Sequence, residues 1–115
     1  VTTLKAARAA TATAVVLAVN DTTVTVYAFE PPVIAGAAVT VSTAGIRPTE
    51  WLLFVRLYVP DIQSEEGQDR IDDLTAAIDG YGGMPIGRLD WDMAFDEQKE
   101  CFLMQAVATF PREDF

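Results

Sequence analysis

The sequence predicts a single α+β domain: a twisted, mostly antiparallel sheet of about five strands with two helices on one face. Three observations carry this. Residues 3–18 and 64–79 repeat small or apolar side chains at helical spacing. Residues 50–59 are apolar on both faces, as a central strand is. Residues 88–95 alternate, and an apolar segment, 100–110, follows after a short polar turn. The order reads α-β-β-β-α-β-β over residues 1–115, a length typical of one domain. There is no internal repeat, low-complexity tract or linker.

Each element has its own reason. In 3–18, Thr2 or Thr3 can cap an Ala-rich helix whose face runs Leu4, Ala7, Thr11, Ala14, Val15 and Ala18. Such small side chains suit close packing on the chain's own sheet or on a neighbouring subunit. Asn20-Asp21 ends the helix. Residues 22–29 are β-branched and aromatic, a strand with Val24, Val26 and Ala28 on one face; Glu30-Pro31-Pro32 stops it. Residues 33–37 connect to a second strand, 38–44, and Gly45 to Pro48 form a turn.

In 50–59, Trp51, Leu53, Val55, Leu57 and Val59 oppose Leu52, Phe54, Arg56 and Tyr58, and Pro60 ends the strand. Ser64 caps the second helix, with Glu65 and Glu66 in the first turn where the helix dipole favours them. Its buried stripe is Ile71, Leu74, Ala77 and Ile78; Asp69, Asp72, Asp73 and Asp79 face water, and Glu66 precedes Arg70 by four residues. Gly80 and Gly82-Gly83 stop it. In 88–95, Leu89, Trp91, Met93 and Phe95 point one way, and Arg88, Asp90, Asp92 and Ala94 the other. Asp96 to Lys99 turn into 100–110, which pairs back as a hairpin; residues 111–115 are a polar tail.

Composition excludes several chemistries. Eight Lys and Arg against seventeen Asp and Glu give −9, with no His. Ser-His-Asp and Cys-His relays and His-based metal sites are therefore absent. The lone Cys101 cannot form an intrachain disulfide or a Cys-rich zinc site, and it fits a reducing compartment. No run of about 18 apolar residues offers a membrane span. Residues 4–19 superficially mimic a signal peptide but lack a good small-x-small cleavage site. The acid is unevenly spread: residues 1–57 carry four bases against three acids, and residues 58–115 carry four bases against fourteen acids. Such a C-terminal half repels a phosphate backbone.

Carboxylates are the only plentiful reactive groups. Asp90 and Asp92, two apart on one strand face, stand roughly 7 Å from each other and could serve acid–base work or hold a divalent cation. A solvated face or a subunit contact gives the same pattern. The run Asp61 to Asp73 lacks EF-hand spacing and lies on a helix whose carboxylates do not converge. The Gly-containing segments match no phosphate-binding fingerprint. Glu100 beside Cys101 argues against a reactive thiol. No catalytic residue, cofactor site or metal site is nominated. What remains is surface: Val33-Ile34 and one face of 100–110 exceed what two small helices cover, which points to subunit contacts.

The block Phe54-Val-Arg-Leu-Tyr-Val-Pro-Asp61, followed by Ser64-Glu-Glu-Gly-Gln-Asp-Arg-Ile-Asp-Asp-Leu74, resembles small neck and tail-terminator proteins of long-tailed, siphovirus-type bacteriophages, especially those of actinobacteria. The N-terminal Ala-rich helix, Glu30-Pro31-Pro32 between strands, the Leu89–Asp92 strand and a final hairpin strand match in order. The Gly-rich, apolar loop from Gly80 to Gly87 departs from the pattern. The resemblance implies a non-enzymatic ring, commonly a hexamer, at the head-proximal end of the tail. It would cap the tail-tube protein, join the head–tail connector or a head-completion protein, and let DNA pass through its lumen without specific binding. The implied location is the virion, with assembly in the host cytoplasm. Six chains would carry six times −9, or −54, so bases must offset acids between subunits. Arg47, Arg56, Arg88 and Lys99 are the candidates for those contacts. Asp69, Asp72, Asp73, Asp90 and Asp92 are the candidates for a lumen or solvated acidic face. Two alternatives stand beside this: a dimeric small-molecule-binding or regulatory α+β domain, and a carboxylate enzyme built on Asp90 and Asp92.

Overall fold

The computed structural model describes residues 2–112. Helix α1 spans Leu4–Val19 and α2 spans Glu65–Asp79. The strands are β1 (Thr25–Tyr27), β2 (Ala38–Ile46), β3 (Glu50–Tyr58), β4 (Asp92–Asp96) and β5 (Cys101–Pro111). They form one five-stranded sheet in the order β1-β2-β3-β5-β4. Only β1 and β2 are parallel; the other pairs are antiparallel. Both helices pack on one face of the sheet, and the predicted fold class and element order stand.

The caps explain where the helices begin and end. The Thr3 side chain accepts from the Ala6 amide at 3.1 Å, and Asn20 closes α1 in the left-handed region, donating its amide to Val16. Ser64 accepts from the Gly67 amide at 3.0 Å and donates to the Asp61 carbonyl at 2.6 Å. The small face of α1, Ala7, Thr11, Ala12, Ala14 and Val15, is buried. It meets Val41 and Leu53, so this face is used within the chain. Ile71, Leu74 and Ile78 of α2 pack against Val39, Val55, Leu57 and Ala108. Burying each Leu or Ile contributes about 1.5–3 kcal/mol.

The structure corrects several local expectations. Strand 22–29 shrinks to Thr25–Tyr27, because the Asp21 carboxylate accepts from the Thr23 amide and hydroxyl and turns the preceding residues. Strand β2 runs through Gly45 to Ile46: a bulge between Thr43 and Gly45 absorbs Ala44, and the turn moves to Arg47–Thr49. Strand β4 starts only at Asp92, so Asp90 lies outside it and the pair does not share a strand face. Leu89 and Trp91 still pack on the core, while Met93 and Phe95 lie 42% and 51% exposed. Arg70 leaves Glu66 for Asp21, at 3.7 Å, and the Thr23 hydroxyl, at 2.8 Å, tying α2 to the turn after α1. Strand β5 includes Pro111; the end of the predicted tail, 113–115, lies outside the described residues.

Gly67 sits in the first turn of α2 where the helix crosses the Asp61–Ile62 backbone. A Cβ there would overlap the Asp61 carbonyl and stand 2.8 Å from Ile62 Cα. Backbone cannot yield as a flexible side chain does. Gly67→Ala therefore lowers unfolding free energy by about 2–3 kcal/mol in denaturant titration. Gly82→Ala, which meets nothing within 4 Å, leaves it within about 0.5 kcal/mol.

Candidate functional site

The ten residues between β1 and β2 must return the chain to the start of a parallel neighbour without a helix. They cross the sheet face that carries no helices. There Ile34 packs with buried Ala38, Tyr58 and Leu103. Ahead of it, Glu30 meets side chains from two strands and one turn. Its Oε1 accepts from the Thr40 hydroxyl at 2.8 Å and from Arg56 Nη1 at 3.2 Å. Its Oε2 accepts from Lys99 Nζ at 2.9 Å and lies 3.0 Å from the Tyr58 hydroxyl. Lys99 also donates to Asp96 Oδ2 at 3.1 Å, an oxygen 3.1 Å from the same hydroxyl. Tyr58 therefore has one proton and two carboxylates to give it to. Arg56 completes the cluster through Nε to Gln105 at 2.8 Å, and its guanidinium stacks on Phe54. Two acids and two bases balance.

Local structure places these groups. Arg56 and Tyr58 alternate to the open face of β3, and Thr40 and Gln105 lie beside Arg56 in register on β2 and β5. Asp96 Oδ1 accepts from the Gln98 and Lys99 amides, which shapes the β4–β5 turn. Glu100 takes φ 52° there, so the ammonium of Lys99 folds back under the sheet, its side chain 7% exposed. Burial pushes the Glu30 and Asp96 carboxyls up. Hydrogen bonds outweigh it: those from Lys99, Thr40 and Tyr58 hold Glu30 below its ordinary value, and those from the Lys99 amide and ammonium and from Tyr58 do so for Asp96. Burial also opposes the charge on Lys99, yet its two carboxylate partners raise its pKa. Tyr58 is pushed far up, by burial first and then by Glu30 and Asp96, and stays protonated.

The candidate residues divide. Arg56 and Lys99 are engaged within their own chain, a role that sequence spacing did not reveal. Arg47 lies 3.8 Å from Glu50 and Arg88 3.5 Å from Asp90, both on exposed surface. Asp69, Asp72 and Asp73 are exposed along α2, and Asp90 and Asp92 are exposed at the β4 edge. They do not form one site. Cys101 has its thiol pushed up by burial and by the Asp96 charge; the neighbouring Glu100 is not the cause. The surplus apolar surface is real: Phe29, Val33, Ile46, Phe95, Phe102 and Val107 are among the exposed large side chains. No helix among the described residues is long and apolar enough to cross a membrane. No protein-family model matches the sequence, and no curated protein is significantly similar to it.

The cluster sets a pH window. Depressed carboxyl pKa values give stability that is full above the unfolded values, near 4, and lost as pH falls through the folded ones. Raised Lys99 and Tyr58 values give stability that is full below about pH 10 and lost above it. Unfolding free energy measured against pH should be flat between about 5 and 9 and fall on both sides, and Glu30→Gln with Asp96→Asn should shallow the acid limb. Lys99→Met leaves Asp96 without its cation and Glu30 with Arg56 alone, and costs about 3 kcal/mol. Arg88→Met, on an exposed pair, changes stability by less than about 0.5 kcal/mol.

Proposed function

We propose that this chain is a ring-forming structural protein of a phage head–tail junction. Its subunits assemble, as a hexamer, at the head-proximal end of the tail, where the ring stops tail-tube growth and joins the head connector. The observation that carries this reading is the exposed apolar surface on both the helix side and the edges of a small, strongly acidic domain. Surface of that kind on a soluble domain is covered by subunits. The element order adds support, since it is the one the resemblance implies. No reaction is assigned to the chain.

Charge fits the role. An acidic lumen repels DNA and lets it slide, whereas a basic one grips it. The exposed Asp69, Asp72, Asp73, Asp90 and Asp92 supply candidates for that wall. With Arg56 and Lys99 occupied at home, Arg47 and Arg88 are the two of the four candidate bases on exposed surface, where they can meet a neighbour's acids. The protein would then reside in the virion, assembling in the host cytoplasm. A second reading, a dimeric small-molecule-binding domain, draws on the open pocket of about 450 Å³ beside the 81–91 loop, lined by Ile78, Tyr81, Met84, Ile86 and Leu89.

Native mass spectrometry separates the two. The ring reading expects six chains of 12.5 kDa, about 75 kDa together, and arrest of tube growth when the chain is added to its cognate tube protein. A compact dimer that does not affect tube growth and changes its thermal stability with a small molecule would instead support the second reading. Arg47→Glu with Arg88→Glu should weaken the ring at least tenfold.

A further inference from the structure

We infer that this chain associates with second copies of itself head to tail, the free edge of β4 in one copy adding to the free edge of β1 in the next. Strands β1 and β4 end the sheet on opposite sides, and among the described residues neither has a partner strand beyond it. Such edges are templates for a further strand. Three features make these two edges fit each other.

The first is level. Following the register across the sheet, Val26 pairs with Val39, Val39 with Leu57, Leu57 with Met104 and Met104 with Met93. Tyr27, Thr40, Arg56, Gln105 and Asp92 form the next row. The edges stand in the same rows, so a neighbouring copy adds without sliding along the strands. The second is direction. β1 runs with β2, and three antiparallel steps then leave β4 running against β1. Copies turned about an axis along the strands therefore meet as an antiparallel pair, the pattern that forms the rest of the sheet. The third is surface chemistry. On the helix side, exposed Met93 of the β4 edge shares its row with half-buried Val26 of the β1 edge; on the opposite side, Asp92 shares its row with Tyr27, on which exposed Phe29 packs edge-to-face. Asp90 and Asp92 make the β4 side acidic, whereas β1 is Thr-Val-Tyr and Arg8 reaches the Ala28 carbonyl after it.

Each copy thus offers two different, complementary edges, not one self-complementary patch. Such an interface is heterologous, and it closes into a ring when the rotation per step divides a full turn. The inference rests on the proposed ring for closure alone; edge pairing stands without it.

The test uses the full chain and two variants altered only at exposed positions. Thr25→Asp with Phe29→Asp places acid on the β1 side. Asp90→Lys with Asp92→Lys places base on the β4 side, where Asp92 stands in the row of Tyr27. Circular dichroism first establishes that both fold. In sedimentation at 50 μM, the wild type should be oligomeric and each variant alone should associate at least tenfold more weakly. Mixing the variants should restore the oligomer, because the acidic β1 edge meets the basic β4 edge and the native edges meet each other. A wild type that stays monomeric, a variant that assembles alone like the wild type, or a mixture that fails to recover would overturn the inference. A wild-type hexamer indifferent to both variants would overturn edge pairing while leaving the ring intact.

Discussion

The carboxylate of Glu30 is where separate parts of the chain are held together on the sheet face that has no helix. It belongs to the crossover between β1 and β2, and its cations come from β3 and from the β4–β5 turn. A parallel crossover is ordinarily covered by a helix that packs back on the sheet. Here the connection is too short for one, and charge and hydrogen bonding hold it down instead. Removing both charged partners for apolar groups of equal size can be neutral in stability, but removing one leaves a partly buried charge without compensation. The cluster therefore acts as one unit. Its failure would release the crossover and the β4–β5 turn together, and with them the segments that flank both sheet edges.

This arrangement also organises charge at the level of the molecule. Within the sheet, β1 and β2 come from the near-neutral half of the sequence, and β5 and β4 from the acidic half. Because the sequence order is nearly the spatial order, the imbalance along the chain becomes an imbalance across the sheet. The interior pairs of the cluster are neutral, so they leave the surface charge as it is. A domain with unlike ends favours unlike contacts, and repulsion of acid by acid disfavours the self-complementary arrangement of two β4 edges. In the proposed ring, the same acid that argues against nucleic-acid binding would let DNA pass without being gripped.

Much of the fold was legible because it depends on local periodicity. Thr3 and Ser64 as caps, the α2 stripe, and β3 as the sheet's central strand follow from residues within one element. The hairpin of β4 and β5 follows from two apolar segments joined by a polar turn. What periodicity does not carry is coverage. It put Leu89, Trp91, Met93 and Phe95 on one side of a half-buried strand, yet the helices do not extend over Met93 and Phe95, which lie exposed. The bulge at Gly45 was hidden because a glycine reads equally as a turn or as a strand irregularity. The need for Gly67 depends on the backbone of a preceding loop. The cluster was least visible: Glu30 and Lys99 are 69 positions apart, and their pairing depends on crossover path and turn geometry together. An acid between an aromatic strand and two prolines was the available signal, and it reads more simply as a strand stop.

A double-mutant cycle between Glu30 and Lys99 tests the central role of the cluster most directly. Unfolding free energies of the wild type, Glu30→Gln, Lys99→Met and the double variant at pH 7 give their coupling. If this pair holds the crossover to the β4–β5 turn, the coupling is about 2 kcal/mol, and the second substitution costs much less than the first. Additive effects, with coupling within about 0.3 kcal/mol of zero, would contradict the account.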